Sequence, residues 1–218
     1  MKIIARIQTD FKDKFGIPRQ SGRVPSLSGR IIFEKEYQNP DALRGLDGFS
    51  HLWLIFDFSQ SHREDWSPTV RPPRLGGNRR IGVFASRSPF RPNPIGLSVV
   101  KLEGIEKGEL LVSGVDLLDG TPIYDIKPYL PFADSVPDAV GGYADDFEEY
   151  RLHVDFPETL LQMLPQEKRQ AVIDCLAQDP RPAYQTDERQ YSMAFADWDI
   201  RFVVRENTVY VTEIERRK

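Results

Sequence analysis

The first half of the chain consists of short apolar runs separated by turn residues, with little of the 3.6-residue periodicity that marks helices. The runs cover residues 2–7, 28–33, 52–58, 81–85, 97–103 and 109–115. Gly, Pro, Asn or Asp stands between them, as is typical between strands. This spacing predicts a mainly β fold, a small antiparallel β-barrel or a sandwich.

The last third of the chain has a different pattern. Apolar residues recur at helical spacing between residues 157 and 177, and Pro165 divides them, so we expect two short helices. Two strand patterns, 199–204 and 208–214, follow with a hairpin turn at Asn207. We therefore predict a β-barrel domain over residues 1–143, a linker over 144–155 and a smaller C-terminal α+β domain over 156–218.

The charge distribution is uneven along the chain. Net charge is −4, yet no Asp or Glu occurs from Trp66 to Leu102. Eight acids lie between Asp134 and Glu158. One surface can therefore attract a polyanion although the whole chain is acidic. The alternative is that the arginines of this acid-free stretch are scattered, solvated surface charges.

Several function classes lack their signatures. Leu75-Gly76-Gly77-Asn78 is followed by no helical pattern, which argues against a Rossmann dinucleotide site. The three histidines lack the companions that a zinc site needs. Ser86 and Ser88 have no evident base partner, so a hydrolase triad is unsupported. The single Cys175, and apolar runs shorter than the roughly 18 residues of a membrane helix, predict a cytoplasmic protein without a membrane span.

The segment from Thr69 to Ser98 combines arginines with five prolines in thirty residues. Prolines fix backbone torsions, and guanidinium groups on such a frame suit phosphate oxygens or stacked bases. Phe90 is placed to stack on a base or an adenine ring. The alternative is a rigid loop that only packs. The arginines that we expect to hold RNA phosphates are Arg71, Arg74, Arg79, Arg80 and Arg91.

A second constellation starts at the tight-turn sequence Asp119-Gly120-Thr121-Pro122. Asp125 and Lys127 follow it two residues apart, so on an extended chain both side chains point to one face. A local ion pair and a functional role are both compatible with this spacing. A third segment, Ile17-Pro18-Arg19-Gln20-Ser21-Gly22, is a polar loop that is weak evidence by itself.

Together these segments resemble the TsaA-like, or TrmO, tRNA methyltransferases. The matching stretches are Pro18-Arg19-Gln20, residues 44–46 and 49–53, residues 69–78, residues 82–85 with 87–88 and 90–96, and residues 119–122 with 125–129. Residues 177–184, AQDPRPAY, are similar to the C-terminal domain of bacterial members. The resemblance runs over nearly the whole chain, and its central motif is long and unusual.

The resemblance implies a small β-barrel that binds S-adenosylmethionine without a Rossmann fold, usually as a homodimer with the pocket near the subunit interface. It implies methylation of N6 of threonylcarbamoyladenosine beside the anticodon of threonine tRNA. The implied cofactor contacts are Pro18, Arg19, Gln20, Ser59, Gln60, Arg87, Leu97, Asp119, Gly120 and Thr121. Members of the family often carry His where this chain has Ser59, and a backbone contact there remains compatible with the resemblance.

The chemistry of the acceptor suggests a catalytic base. N6 is weakly nucleophilic while it keeps its proton, and a carboxylate such as Asp119 or Asp125 can accept that proton. We favour Asp125 for the base, with Lys127 beside it, and Asp119 for the cofactor ribose or the turn. Two alternatives remain: an RNA-binding barrel without catalysis, and a hydrolase of a small anionic ester.

Overall fold

The computed structural model of the chain describes residues 1–72, 75, 79–181 and 188–217. The strands, in chain order, are β1 (Ala5–Gln8), β2 (Ser28–Phe33), β3 (His51–Asp57), β4 (Thr69–Val70), β5 (Ile81–Gly82), β6 (Ile95–Glu106), β7 (Glu109–Ser113), β8 (Pro122–Pro128), β9 (His153–Asp155), β10 (Tyr191–Phe195), β11 (Trp198–Arg205) and β12 (Thr208–Arg216). The α-helices are α1 (Pro131–Asp134), α2 (Glu158–Leu161) and α3 (Gln166–Ala177).

A closed antiparallel barrel forms the first part of the molecule, with the strand order β1-β2-β7-β6-β3-β8. It closes because β1 pairs with β2 along one edge and with β8 along the other. Closure leaves no exposed sheet edge, which removes the hazard of edge-to-edge association. The barrel predicted from the spacing of the apolar runs is confirmed.

The side chains of β3 alternate between the barrel interior and its outer face. Leu52, Leu54 and Phe56 are buried, whereas the residues between them are only partly covered. Opposite Phe56 the chain has Gly96, where an added Cβ would lie 2.2 Å from the Phe56 ring. Only glycine therefore fits at this position of β6, and the large ring fills the interior in its place.

The C-terminal region forms a second sheet in the order β10-β11-β12-β9, in which β9 runs parallel to β12. The two short helices predicted around Pro165 are confirmed as α2 and α3, and the hairpin turn at Asn207 is confirmed between β11 and β12. β9 lies inside the segment 144–155 for which the sequence predicts a linker. The buried apolar residues of the barrel and of this sheet form one continuous core cluster.

One strand prediction is wrong, and one barrel strand was not predicted. Residues 81–85 do not contribute to the barrel: β5 pairs only with β4, and Val83–Ala85 turns into a 3-10 helix. Val83 is buried in that turn, which accounts for an apolar residue at this position. The apolar run therefore has the local pattern of a strand although it is too short to cross the barrel. The sixth barrel strand is instead β8, which starts at Pro122, a position where strands tolerate proline.

The segment between β3 and β6 lies outside the barrel wall and carries the small β4-β5 ladder. Residues Pro40–Leu43 form a 3-10 helix, whose first turn is capped by the Asn39 side chain as it accepts the backbone N–H of Asp41. None of the helices in the described residues is of the length and apolar character needed to cross a membrane.

Candidate functional site

The outer face of β6, β3 and β8 brings two predicted site residues into one cross-strand row. Leu97 on β6 lies opposite Ile55 on β3, and Ile55 lies opposite Asp125 on β8. Adjacent strands are about 4.8 Å apart, so Leu97 and Asp125 are separated by about 10 Å along the sheet. An apolar side chain and a carboxylate therefore face the same side of the barrel wall.

Asp125 is held by short-range contacts on this face. Its Oδ2 lies 3.1 Å from the ammonium nitrogen of Lys127, and its Oδ1 accepts a hydrogen bond of 3.0 Å from the backbone N–H of Ile126. The two-residue spacing thus produces an ion pair on one face of β8, as the strand pattern predicts. Asp125 also lines a shallow pocket with Ile55 and Tyr124.

A histidine–carboxylate pair stands where β3 ends. His62 Nε2 lies 2.7 Å from Asp57 Oδ1, and Asp57 orients the exposed imidazole. Burial raises the pKa of Tyr124, and the neighbouring Asp57 carboxylate raises it further. A titratable cluster of three side chains therefore borders the Leu97–Asp125 row, one residue from Asp125 along β8. Sequence reasoning missed it, because Asp57 and His62 are brought together only by the turn after β3.

That turn carries Ser59 and Gln60. Ser61 N–H donates to the carbonyl oxygen of Phe58 at 2.7 Å, closing the turn. Lys14 donates from Nζ to the carbonyl oxygen of Gln60 at 3.1 Å. The side chains of Ser59 and Gln60 are exposed, so both are accessible to a ligand from solvent.

The Pro18–Gln20 loop meets Arg87 at the same end of the barrel. The guanidinium of Arg87 donates to the Gln20 side-chain oxygen, which joins two of the predicted cofactor contacts directly. Pro18 is buried, whereas Arg19 is exposed and donates to the carbonyl oxygen of Arg181 at 3.0 Å. The loop is therefore anchored on the barrel side and on the C-terminal side.

A carboxylate that the sequence did not single out lies beneath this loop. Asp116 accepts a hydrogen bond of 2.7 Å from the hydroxyl of Ser98, the buried neighbour of Leu97. Burial raises the pKa of Asp116 to about 6, against the lowering effects of Ser98, of backbone N–H groups that include Ser21 and of the Arg87 charge. Asp116 thus links the strand that carries Leu97 to the loop that carries Gln20. In the sequence, Asp116 is distinguished only by being an acidic residue within an apolar run.

The Asp119–Thr121 turn contacts a different part of the barrel. Asp119 Oδ1 accepts the backbone N–H of Thr9 at 3.0 Å, and Arg6 donates to the carbonyl oxygen of Gly120 at 3.2 Å. Thr121 is buried, with its hydroxyl bonded to a carbonyl oxygen within the turn. These described contacts are to β1 and its following residues, and they fix the turn geometry rather than joining Gln20 or Arg87.

The predicted RNA-binding arginines fall into two groups. Arg71, Arg79 and Arg80 are exposed, and Arg80 donates to the Thr69 hydroxyl at 3.1 Å. Arg91 instead donates to the carbonyl oxygens of Val83 and Ser86, so its guanidinium holds the loop together. Arg74 lies outside the described residues.

Exposed aromatic rings accompany the arginines. Phe84 and Trp66 are both exposed and lie 6.1 Å apart between ring centroids. The Arg63 guanidinium lies 3.7 Å from the ring centroid of Phe90, on the ring predicted to stack on a base. Aromatic faces and cations exposed side by side are suited to single-stranded nucleic acid.

Both halves of the chain match family models. Residues 6–135 match the tRNA-methyltransferase O N-terminal domain, and residues 149–217 match the TrmO C-terminal domain. The chain is 45% identical to the tRNA (adenine(37)-N6)-methyltransferase of Escherichia coli K12 over 98% of its own length and 97% of that protein. It is 46% identical to a putative S-adenosylmethionine-dependent methyltransferase of Pseudomonas aeruginosa over 90% of its length and 89% of the relative.

Solved structures agree with the sequence relatives. A crystal structure of TrmO from P. aeruginosa superposes with a TM-score of 0.81 at 38% sequence identity, covering 98% of this chain and 95% of that chain. The human tRNA (adenine(37)-N6)-methyltransferase is 39% identical over 65% of the chain, which amounts to 32% of the human protein. The barrel, the C-terminal sheet and the sequence between them all match, and the chain belongs to the tRNA-methyltransferase O family.

Proposed function

We propose that this chain transfers a methyl group from S-adenosylmethionine to N6 of threonylcarbamoyladenosine next to the anticodon of threonine tRNA. The observation that carries the proposal is the similarity to the E. coli tRNA (adenine(37)-N6)-methyltransferase, which is 45% identical across nearly the full length of both proteins. The name of the P. aeruginosa relative supports S-adenosylmethionine as the methyl donor. The threonylcarbamoyl group and the threonine tRNA come from the resemblance of the motifs.

The cofactor site in this proposal lies at the barrel end where the Pro18–Gln20 loop meets Arg87 and where β6, with Leu97, begins. The hydrogen bond between Gln20 and Arg87 supports it, because it joins two predicted contacts that are far apart in the sequence. The remaining contacts are assigned to Ser59, Gln60, Asp119, Gly120 and Thr121. For Asp119, the bond to the backbone of Thr9 favours a role in shaping the turn.

Methyl transfer forms a bond between the methyl carbon and N6 as the S–CH₃ bond breaks, leaving a neutral thioether. N6 then has to lose its proton, and we assign that proton to the carboxylate of Asp125. Lys127 positions Asp125 through their ion pair. The shared face of Leu97 and Asp125 supports this assignment, because cofactor and acceptor have to meet in line on one surface.

The RNA is held by exposed arginines on the segment between β3 and β6. Arg71, Arg79 and Arg80 are available to phosphates at the surface, and the aromatic rings of Phe84 and Phe90 lie in the same segment. Phosphate contacts give affinity that falls with salt, and stacked rings hold unpaired bases of a loop. An anticodon loop offers both groups.

A homodimer and a cytoplasmic location complete the proposal. Leu97 is 56% exposed and Ile95 is 38% exposed on the outer face of β6, and Phe132 on α1 is 88% exposed. A second copy of the chain that packs beside this face covers Ile95 and Phe132 and leaves the cofactor pocket with Leu97 at the edge of the subunit interface. The cytoplasm is where tRNA substrates are found, and the reduced, buried Cys175 fits that compartment.

Two measurements test the proposal. The purified protein is incubated with threonine tRNA that carries threonylcarbamoyladenosine and with methyl-labelled S-adenosylmethionine, and the nucleosides are separated by mass spectrometry. We expect one labelled methyl group on threonylcarbamoyladenosine. Label on an unmodified adenosine or no label would overturn the substrate assignment, and calorimetry that shows no S-adenosylmethionine binding would favour a non-catalytic RNA-binding barrel.

A further inference from the structure

The segment between β1 and β2, residues 9–27, carries Pro18, Arg19 and Gln20 and is contacted along much of its length by the C-terminal region. Its aromatic side chains enter the core on that side. The Phe11 ring meets Phe195 of β10 edge to face at 5.3 Å between centroids. The Phe15 ring stacks at 6.3 Å on Tyr191 and at 6.4 Å on Phe202. The segment therefore packs against the rings of Tyr191, Phe195 and Phe202 of the C-terminal sheet, which we call the aromatic floor.

The close approach of Gly16 to Met193 shows how tightly the segment packs against the C-terminal sheet. Gly16 has a φ of +95°, and an added Cβ would lie 2.4 Å from the sulfur of Met193 on β10. Glycine is the residue that adopts this backbone conformation without strain, and here it also leaves room for the methionine. The turn that leads into Pro18 is thus shaped against a side chain of the second sheet.

Polar contacts hold both ends of the segment. Near its start, the carbonyl oxygen of Asp10 accepts the backbone N–H of Ala196 at 2.7 Å, and the Asp10 carboxylate pairs with Lys168 of α3. After the cofactor loop, the Ser26 hydroxyl donates to the Asp174 carboxylate of α3 at 3.2 Å, and Arg23 donates to the carbonyl oxygens of Phe147 and Glu148 in the segment before β9. The residues on either side of Pro18–Gln20 are therefore attached to C-terminal elements.

A nearly buried ion pair fixes the turn that contacts the Pro18–Gln20 loop. The carbonyl oxygen of Arg181 accepts the hydrogen bond from Arg19, and the Arg181 guanidinium pairs with the Asp179 carboxylate at 2.9 Å with both side chains nearly buried. Tyr150 donates its hydroxyl to Asp179 at 2.9 Å. Asp179 has a φ of +53°, so the turn that presents the Arg181 carbonyl is sharply bent.

We propose that the C-terminal domain is a positioning element of the cofactor site, which holds the Pro18–Gln20 loop in its binding conformation through the Asp179–Arg181 turn and the aromatic floor. This deepens the proposed function and rests on it. A loop that is already ordered loses less conformational entropy when it binds a ligand, so its preorganisation raises affinity. The domain raises the affinity for the cofactor through residues that do not themselves contact the cofactor.

The test uses the full chain with Asp179→Asn, which keeps the size of the side chain and its tolerance of positive φ but removes the charge that fixes Arg181. We expect the Kd for S-adenosylmethionine to rise about tenfold by calorimetry, with kcat at saturating cofactor unchanged. Tyr150→Phe removes one hydrogen bond to Asp179 and is expected to raise the Kd about threefold. If Asp179→Asn does not fold, Tyr150→Phe decides the question.

The matched control is Arg201→Gln. Arg201 pairs with Glu213 and Glu215 on the exposed face of the same sheet, opposite the face on which Phe15 stacks. We expect its cofactor affinity to equal that of the wild type. An equal loss of affinity in Arg201→Gln would overturn the proposal, because the domain would then act only through general stability. Unchanged affinity in both Asp179→Asn and Tyr150→Phe would overturn it as well.

Hydrogen exchange separates this proposal from the proposed function. Amides of residues 16–23 are expected to exchange faster in Asp179→Asn than in the wild type or Arg201→Gln, measured without any ligand. Equal exchange in the three proteins would overturn the proposal. Wild-type protein that binds no S-adenosylmethionine would instead overturn the proposed function and the cofactor part of this proposal, while exchange still decides whether the domain holds the loop.

Discussion

Leu97 and Asp125 face the same side of the barrel wall, each lying directly opposite Ile55 on the strand between them. One residue was predicted from the resemblance as a cofactor contact and the other as the base. Their alignment follows from the strand order β6-β3-β8, since every second residue of each strand faces outward. Transfer of a methyl group and loss of the N6 proton can therefore take place on one surface.

Asp125→Asn is expected to lower kcat by about 10²- to 10⁴-fold, because the variant keeps the shape of the side chain but cannot accept a proton. The Kd for S-adenosylmethionine is expected to stay within about twofold of the wild type. Single-turnover methylation of tRNA and calorimetry measure the two quantities. Glu109→Gln, which breaks an exposed ion pair with Arg30 on the other side of the barrel, is the control. Wild-type turnover in Asp125→Asn would remove Asp125 from the role of base.

Replacing both Arg79 and Arg80 with Ala is expected to weaken tRNA binding at least about tenfold at physiological salt, because both guanidinium groups are exposed in the acid-free segment. The slope of log K against log salt is expected to decrease by about two. Filter binding at several salt concentrations gives both quantities, with Arg201→Gln, which removes one positive charge on the C-terminal sheet, as the control. A tRNA affinity that barely changes would show that these arginines do not contact the RNA.

The half-buried Asp116 makes the stability of the chain depend on pH in a defined direction. Burial raises its pKa from 3.8 to about 6, so the folded chain binds more protons than the unfolded chain between these values. Its contribution to stability is therefore complete below about pH 4 and is lost as the pH rises through about 6. Relative to Asp116→Asn, the wild type is expected to lose up to about 3 kcal/mol of unfolding free energy from pH 4 to pH 7.

Urea denaturation of both proteins across this pH range measures the difference. Ser98→Ala is a useful companion, because removing the hydroxyl that lowers the pKa of Asp116 moves the pH-dependent window upward. A stability difference between wild type and Asp116→Asn that is the same at every pH would contradict the raised pKa of this carboxyl.

Gly16→Ala is expected to destabilise the chain by more than about 1 kcal/mol, because alanine is strained at positive φ and its Cβ would clash with Met193. Thermal and chemical denaturation measure the loss. Gly104→Ala is the matched control, since an added Cβ there has no neighbour within 4 Å in the described structure. Equal stabilities of the two variants would argue against the tight seating of residue 16 on β10.

Much of the fold could be predicted from local patterns. The runs at β2, β3 and β7 have the apolar residues and flanking turns of strands, and Pro165 separates two helices as proline chemistry requires. β8 was missed because its Asp-Gly-Thr-Pro start has the composition of a turn, and it becomes a strand only by pairing with β1 and β3. The three-residue β9 has no local pattern and depends on its pairing with β12.

The candidate site was predictable only in part, for a similar reason. The motif residues identify the family, but a motif does not say which side chains meet. Asp116 and Ser98 are 18 residues apart and join only when the barrel closes. Arg91 looks the same in the sequence as Arg79, yet its guanidinium donates to two carbonyl oxygens of its own loop. Arg19 and Arg181 meet across 162 residues, through a backbone atom that no side-chain pattern encodes.

Methylation of threonylcarbamoyladenosine in threonine tRNA is the function that we propose for this chain. Its most direct test is mass spectrometry of tRNA nucleosides from cells that lack this protein, compared with the same cells complemented by the wild-type chain. We expect the N6-methylated nucleoside to disappear from threonine tRNA, threonylcarbamoyladenosine to accumulate in its place, and the wild-type chain to restore the methyl group. An unchanged level of the methylated nucleoside in cells without the protein would contradict it.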